Sequence, residues 1–319
     1  MSAPPPIAPT PVSDRPPAHE PAAPARRRHL GRLAVLGAAA LFSACTAWRP
    51  RPASERRLAL PDGPALCDAD WLDTLRHADF VLLGEHHDNA RHHRLRGELI
   101  ARIGRGGAVV AEHLERGRRL TPPASDSTAD LLGALQAAGF DPRGWLWPLH
   151  EGLFALLVAA GVLVQGGNLP RELARRIARE GDAALPADLA ELLRAAPLAP
   201  TAQARLDEEL LSSHCGQLPV SRLPAMRAAQ RARDAALAQA LLAAADAAPA
   251  RPVWLVAGNA HVRRDYGVGQ LLAVLHPRAR VLSIALLDED ERGADLPTTE
   301  AYTHAWITAA PDRRAPPCG

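Results

Sequence analysis

Lysine is absent from this chain of 319 residues, so all 37 of its basic residues are arginines. The absence excludes a Schiff-base lysine and the lysine of a phosphate-binding P-loop. The formal net charge is only +2, so no whole-protein field favours nucleic acid as a partner. The four cysteines include no CxxC pair, which makes a cysteine-based metal site unexpected. No GxSxG motif occurs, which argues against a serine hydrolase.

What the chain does have is apolar surface, with 47% hydrophobic residues, enough for a large core in one or two domains. Residues 1–25 are an exception, because they are rich in proline and poor in bulky apolar side chains. We expect this N-terminal extension to be disordered. Residues 46–57 are polar and contain proline, and we interpret them as a tether. The remainder, residues 58–319, is predicted to form a single domain.

Residues 26–45 have the features of an export signal. Three arginines precede an apolar run at residues 33–42, which small residues connect to Cys45. The run is too short for a permanent membrane span. A cysteine after small residues resembles the lipobox of bacterial lipoproteins, in which Cys45 would be lipidated and become the mature N-terminus; the arginines also resemble a twin-arginine signal. The alternative is a non-cleaved signal anchor, and either interpretation predicts that the folded part is exported.

Export changes what is expected of the cysteines. If Cys45 is acylated, Cys67, Cys215 and Cys318 remain in a compartment that permits disulfides. Because three is an odd number, at most one intramolecular pair forms and one thiol is left over.

Apolar segments with the length of strands alternate with helical segments along the domain. We predict strands at residues 80–83, 108–111, 162–165, 253–257, 280–286 and 301–308. Their interiors are apolar throughout, which is typical of strands covered on both faces. Residues 171–247 are almost wholly helical by propensity. The predicted fold class is therefore α/β, a mostly parallel sheet with helices on both faces and a helical insertion.

Polar residues follow four of the predicted strands. They are Glu85 and His86, Glu112 and His113, Asn168, and Asn259 with His261. In a parallel sheet these strand ends share one edge, where ligands of open α/β folds bind. Each residue alone could be a solvated loop residue or a turn former. Their repetition at successive strand ends favours a binding site at this edge.

Several motifs together resemble one family. They are LLGEHHDN at residues 82–89, the strand end at Glu112, WLWPLH at 145–150, HCGQLP at 214–219, MRAAQRARDAALA at 226–238 and AGNAHVRRDYGVG at 257–269. This set is similar to the ChaN-like haem-binding lipoproteins of the Tiki superfamily, and the resemblance covers about residues 70–318. Gly269 departs from the family pattern, which commonly has proline after Gly-Val.

The resemblance implies an outer-membrane lipoprotein that faces the periplasm, binds haem, serves iron or haem acquisition and forms a possible homodimer. Haem needs an axial ligand, an apolar platform and cations for its propionates. The resemblance points to Tyr266 as iron ligand, with His86 or His261 as alternatives and Arg263 and Arg264 near the propionates. The expected haem-binding residues are therefore Tyr266, Arg263, Arg264, His261, His86, Asn168 and Asn259. It also implies a disulfide between Cys215 and Cys318.

A rival hypothesis is enzymatic. Glu85, Glu112 and the two histidines His86 and His261 are residue types of a divalent-metal hydrolase, in which imidazoles and a carboxylate hold the metal and a second carboxylate is the base. Related sequences in the superfamily resemble proteases and esterase-like proteins that use this strand edge. The spacing is not that of a helical HExxH motif. A third class, a scaffold that tethers partners at the envelope, would explain the lipobox but not the clustered histidines and glutamates.

Overall fold

A computed structural model describes residues 55–248, 250–289 and 296–311. The predicted disordered extension, the signal with Cys45 and residues 46–54 of the tether lie outside these ranges, as does Cys318. Within the described residues, seven strands form one sheet. They are β1 (Arg56–Ala59), β2 (Phe80–Leu83), β3 (Ala108–Glu115), β4 (Leu163–Asn168), β5 (Val253–Val256), β6 (Val281–Asp288) and β7 (His304–Thr308).

The strand order in the sheet is β1-β7-β6-β2-β5-β3-β4. Neighbouring strands are parallel except for β1, which pairs antiparallel with β7. The predicted α/β class with a mostly parallel sheet is therefore confirmed. Sequence reasoning missed β1, whose residues Arg56 and Arg57 lie in the segment interpreted as a tether. Two adjacent arginines hide this strand, although Arg57 is buried with its guanidinium 4.7 Å from the ring centre of Trp306.

In the part of the chain that the structure describes, ten α-helices connect and cover the strands. They are α1 (Asp68–Arg76), α2 (Ala90–Ile103), α3 (Thr128–Ala137), α4 (Glu151–Ala159), α5 (Arg171–Glu180), α6 (Ala187–Ala195), α7 (Pro200–Ser213), α8 (Leu223–Ala247), α9 (Asn259–Val262) and α10 (Val268–Leu275). Two short 3₁₀ turns, Gly181–Ala184 and Val220–Arg222, complete the helical insertion between β4 and β5. Within the described ranges, no helix combines the length and hydropathy that a membrane span requires.

The central strands bury both faces, as their apolar interiors predict. Phe80 and Leu82 of β2 point into a core shared with α5, α8 and α10. Val81 and Leu83 point into a second core with α1, α2 and α4. Successive strand residues alternate between the faces, so each face of β2 is covered by helices.

Strands β3 and β4 extend beyond their predicted carboxyl ends. Strand β3 continues to Glu115, so Glu112 and His113 lie within it rather than after it. Strand β4 continues to Asn168, which is its last residue. The register of β3 with β4 shifts between Ala111 and Glu115, which marks a bulge at this position. Bulges re-aim side chains, and here Glu112 and His113 are both buried.

Candidate functional site at the carboxyl edge of the sheet

The carboxyl ends of β2, β3 and β5 lie side by side because these strands are neighbours in the sheet. Glu85 follows β2, Glu112 lies in β3, and His261 lies in α9 just after β5. The predicted convergence of these three residues at one edge is observed, through the contacts described below.

Glu85 is the centre of a buried polar cluster, and its side chain has no exposed surface. The Nδ1 atom of His87 donates to Glu85 Oε1 over 2.7 Å, and His113 Nε2 donates to the same oxygen over 3.1 Å. The guanidinium of Arg96 forms an ion pair with the other oxygen, Oε2. Since arginine stays protonated in proteins, it balances the buried carboxylate charge. This pairing allows Glu85 to remain an anion inside the fold.

Two further histidines complete the cluster around Glu85. His93 Nδ1 lies 2.9 Å from Glu85 Oε2 and 3.1 Å from the guanidinium of Arg96, and its Nε2 lies 3.1 Å from the carbonyl oxygen of His87. His150 stacks on His93 with ring centres 3.8 Å apart, and its Nε2 lies 3.6 Å from Glu85. Burial lowers the pKa of His93 to about 4 and also lowers the pKa of His150. Both rings are therefore neutral at physiological pH.

His87 is the member of this cluster that reaches solvent, with 47% of its side chain exposed. Burial in the surrounding protein nevertheless lowers its pKa, while the charge of Glu112 acts in the opposite direction. The indole of Trp145 lies edge-on to His87, with 5.1 Å between ring centres, and 4.5 Å from the ring of His113. A neutral His87 that donates from Nδ1 presents Nε2 as an unprotonated lone pair.

A second polar network lies beside the Glu85 cluster, and His261 is its centre. Its Nε2 atom lies 3.2 Å from Glu112 Oε1, and its Nδ1 atom lies 2.6 Å from Asp234 Oδ1 of α8. Burial opposes protonation of His261, but the two carboxylates outweigh it and raise its pKa to about 10. Burial likewise opposes ionisation of Glu112, yet the charge of His261 holds the pKa of Glu112 well below its usual range. His261 is therefore a buried imidazolium between two carboxylates.

Gly258 lies between the Glu85 cluster and the network of His261. Its backbone N–H donates to Glu112 Oε2 over 2.8 Å. A Cβ atom at this position would lie only 2.9 Å from His87 Nε2 and 3.7 Å from Glu112 Oε2. A glycine therefore leaves open the small space between His87 and Glu112. Chemically, the edge offers a partly exposed imidazole, three buried carboxylates and two buried cations, Arg96 and His261.

A family model described as haem-binding uptake, Tiki superfamily, ChaN matches residues 71–272. The chain belongs to the ChaN family. The matched range contains Glu85, His87, Glu112 and His261, and it also contains α8 with Asp234. The family resemblance inferred from the motifs is therefore confirmed.

A solved structure shares the fold of this chain. A Campylobacter jejuni structure, described as cofacial haem binding to ChaN, is 16% identical, with a TM-score of 0.62 over 80% of this chain and 97% of that chain. At this identity the likeness shows the fold alone. An erythromycin esterase mutant in its open conformation is 16% identical over 69% of this chain and 72% of that chain, with a TM-score of 0.38, too low to carry an argument. No curated protein matches the sequence.

Three of the residues expected to line the ChaN site have structural roles at the edge. Asn259 accepts from the backbone N–H of Leu286 over 3.1 Å and donates to its carbonyl over 2.8 Å, which ties α9 to β6. Asn168 accepts from the backbone N–H of Leu169 over 2.8 Å. His86 lies beside His92, with 5.6 Å between ring centres. None of the described contacts brings these three side chains to Glu85.

The predicted iron ligand Tyr266 is fully buried, in an apolar cluster between α7 and α8. Its hydroxyl has no hydrogen-bond partner among the described residues. Burial raises the pKa of this phenol, and the nearby charge of Arg263 only partly opposes the effect. Arg263 pairs with Asp265 over 2.6 Å and lies over the Tyr266 ring, 4.4 Å from its centre. Arg264 donates to the carbonyl oxygen of Thr299. The assignment of Tyr266, Arg263 and Arg264 to haem stays a prediction.

Cys67 and Cys215 are both disulfide-bonded. Cys318 lies outside the described residues, so the pairing of Cys215 with Cys318 stays a prediction.

Sequence reasoning did not select several residues that build the cluster. They are His87, His93, Arg96, Trp145, His150 and Asp234. A helical signal for two of them existed, because His93, Arg96 and Ile100 follow one another at spacings of three and four on α2. A histidine and an arginine in line with a buried isoleucine indicate a buried polar face. Asp234 had no such signal, since α8 is alanine-rich over most of its length.

Proposed function

We propose that this protein binds haem as its cargo at the carboxyl edge of the sheet and serves iron or haem acquisition. The observation that carries the proposal is membership of the haem-binding uptake family over residues 71–272. The edge also has the chemistry that haem needs, because imidazole is a common axial ligand of haem iron. Four histidine rings surround Glu85 there, and one of them, His87, reaches solvent.

We also propose that the protein is exported and anchored to the membrane through a lipid on Cys45, at the outer membrane facing the periplasm. The export signal and lipobox-like sequence at residues 26–45 support this location. A haem-binding protein at that place could receive or pass on haem taken up at the cell surface. A homodimer is part of the proposal, since its Campylobacter relative carries a description of cofacial haem binding.

Titration of the purified full chain with hemin tests haem binding. A Soret band that saturates at a fixed stoichiometry is expected. Surface histidines bind hemin weakly, so a control for this background is needed. The matched control is His77→Ala, which removes an exposed histidine at the end of α1, outside the cluster. A spectrum that never saturates, or one that is identical to hemin in buffer, would contradict the proposed function. Sedimentation with and without hemin should show dimer formation.

Fractionation of cells that express the full chain tests the anchor. The wild-type protein should be found in the membrane fraction, and Cys45→Ser should be found in the soluble fraction because it removes the acylated thiol. Membrane association that persists in Cys45→Ser would exclude the lipid anchor and favour the uncleaved signal anchor.

A divalent-metal hydrolase remains a second candidate because donor atoms of Glu85, His87 and His113 all lie within 4.8 Å of one another. In that reading Glu85 would hold the metal and Glu112 would be the general base. Arg96 weighs against it, since its guanidinium already pairs with Glu85 and would repel a dication. Elemental analysis decides the question: stoichiometric zinc or manganese that is lost in His87→Ala would support the hydrolase, and metal-free protein would exclude it.

A further inference from the structure

The helical insertion contains a cavity of about 640 Å³, lined by residues of α6, α7 and α8 and of the segments that precede and connect them. Its volume lies within the range of about 300–1,000 Å³ that is typical of small-molecule sites. None of the described residues that line it belongs to the Glu85 cluster or to the network of His261. The cavity is therefore separate from the site at the sheet edge.

Much of the cavity wall is apolar. Leu185, Leu193 and Leu198 line it, and each of them is only half-buried. Two prolines, Pro197 and Pro224, add to the apolar surface. Burial of such surface against an apolar ligand releases water and is favourable. The wall therefore suits a hydrocarbon group.

A buried cation also lines the cavity. Arg231 of α8 is 7% exposed. Its guanidinium donates to the carbonyl oxygens of Tyr266 over 2.7 Å and Ala196 over 3.0 Å, and to Gln270 Oε1 over 3.1 Å. Ala196 directly follows α6, and the partial negative charge of that helix end also favours the cation. These neutral acceptors fix the guanidinium, but they supply no full negative charge and leave some of its N–H donors unused.

The charge of Arg231 has no direct counter-ion in the described part of the chain, where no carboxylate forms an ion pair with it. Asp234, on the same helix, acts on Arg231 through its charge, but its carboxylate lies 2.6 Å from His261 Nδ1. Burial lowers the pKa of Arg231, and the charge of Asp234 only partly opposes this effect. A carboxylate bound in the cavity would supply the counter-charge.

The other charged residues of the lining favour a ligand with a single negative charge. Arg227 is already paired, through two hydrogen bonds of 2.7 and 3.0 Å to Asp207. Arg194 and Asp182 are both exposed and have opposite charges. Of the described lining residues, only Arg231 is a buried cation without a paired carboxylate. One such charge matches a carboxylate better than a phosphate dianion.

We propose that this cavity binds an amphipathic monocarboxylate, the class that includes fatty acids, with the carboxylate on Arg231 and the apolar chain against the leucines. None of the described residues that line the cavity is a histidine, tyrosine, methionine or cysteine, so it offers no axial ligand for haem iron. The site is a second one, and its existence does not depend on the proposed haem binding.

Isothermal titration of the purified full chain with laurate tests the proposal. We expect saturable binding of one laurate per chain. Acetate, which lacks the apolar chain, and dodecanol, which lacks the charge, should bind at least about tenfold more weakly. Arg231→Gln should weaken laurate binding by a similar factor of about ten or more, because it removes the charge that the carboxylate needs. The matched control is Arg175→Gln, which removes an exposed arginine of α5 in the same insertion and should leave the affinity unchanged.

Thermal unfolding separates binding from a purely structural role of Arg231. Laurate should raise the unfolding temperature of the wild type but not that of Arg231→Gln, because a ligand stabilises only the protein that binds it. Equal laurate affinity in these two proteins would overturn the proposal, as would dodecanol that binds as tightly as laurate. Tighter binding of dodecyl phosphate would contradict the assignment to a monocarboxylate.

A second variant is needed if circular dichroism shows that Arg231→Gln does not fold. Leu193→Gln retains the cation and makes the apolar wall more polar, so it should also weaken laurate binding. Unaltered laurate affinity in Leu193→Gln would count against the proposal.

Hemin distinguishes this site from the proposed haem site. Saturating laurate should leave the hemin titration unchanged, because the two ligands occupy different places. Hemin that displaces laurate one for one would overturn the proposal of a separate site. A wild-type protein that binds laurate but shows no saturable hemin binding would remove the proposed function and leave this inference intact.

Discussion

Two regions of this protein bury polar atoms, and they do so in opposite ways. At the sheet edge, Glu85 and Arg96 pair their charges and four histidine rings lie around them, one of which reaches solvent. Between α7 and α8, Tyr266 has its hydroxyl in an apolar cluster without a hydrogen-bond partner in the described chain. The difference indicates where ligand chemistry resides, because only the edge combines ordered donors with access from outside. The following predictions test this contrast, from the largest effect to the smallest.

Arg96→Leu should destabilise the protein most. It leaves the buried Glu85 carboxylate without its counter-charge, which costs about 3–5 kcal/mol of unfolding free energy. Urea unfolding followed by circular dichroism measures the effect. The matched control is Arg94→Ala on the same helix, an exposed partner of Glu98, which should cost less than about 0.5 kcal/mol. Equal losses in the two variants would show that the edge is not organised around a buried ion pair.

His261 should make stability fall with rising pH. Its pKa is raised from 6.5 to about 10 by Glu112 and Asp234, against the effect of burial. A raised folded-state pKa contributes stability that is complete below pH 6.5 and is lost as the pH rises towards 10, by up to about 1.4 kcal/mol per pH unit. Urea unfolding at pH 7 and pH 9 measures the slope. In His261→Gln the slope should flatten, and an unchanged slope would remove this histidine as its origin.

His93 should act in the opposite direction at acid pH. Burial lowers its pKa from 6.5 to about 4, so below pH 6.5 the unfolded chain takes up a proton that the folded protein does not. Stability should therefore be lost as the pH falls from 6.5 towards 4. Urea unfolding of the wild type and of His93→Gln between pH 6.5 and pH 4 tests this. The same dependence of unfolding free energy on pH in both proteins would be inconsistent with a buried neutral His93.

Leu146, on the segment before α4, tests whether its left-handed backbone is strained. Leu146→Gly relieves the backbone at φ 52°, whereas Leu146→Ala removes the same apolar surface and retains the strain. We expect the glycine variant to be more stable than the alanine variant by about 1 kcal/mol, by thermal unfolding. Equal stability of the two variants would show that this conformation costs no free energy.

Tyr266→Phe should have the smallest effect, a gain of about 1 kcal/mol in unfolding free energy, because it removes a buried hydroxyl that forms no hydrogen bond with a described residue. Leu206→Ala in the same cluster is the contrasting change and should cost about 2–5 kcal/mol through the cavity it leaves. Urea unfolding measures the change in unfolding free energy in both variants. A clear loss of stability in Tyr266→Phe would mean that the phenol has a favourable partner.

The sheet and its edge were predictable because their signals are local in sequence. One apolar strand ends just before Glu85, and another ends shortly before His261. Because these strands are parallel neighbours, the two residues lie at the same edge of the sheet. The central strands and the position of the helical insertion followed from the same patterns. Strand β1 was not predicted because its four residues, two of them arginines, show no alternation of apolar and polar side chains.

The cluster itself depends on packing that a local pattern does not contain. Whether His86 or His87 turns towards Glu85 is decided by a short loop after β2, and the structure selects His87. Asp234 joins His261 only because α8 crosses behind the edge. The burial of Tyr266 depends on its packing against Leu206 and Leu210 of α7. These contacts join residues far apart in the chain.

Hemin titration of the purified full chain tests the central claim, that this protein binds haem, most directly. The account predicts a Soret band that saturates at a fixed stoichiometry and is retained in the exposed-histidine control His77→Ala. A spectrum that never saturates, or one that is identical to hemin in buffer, would contradict the account.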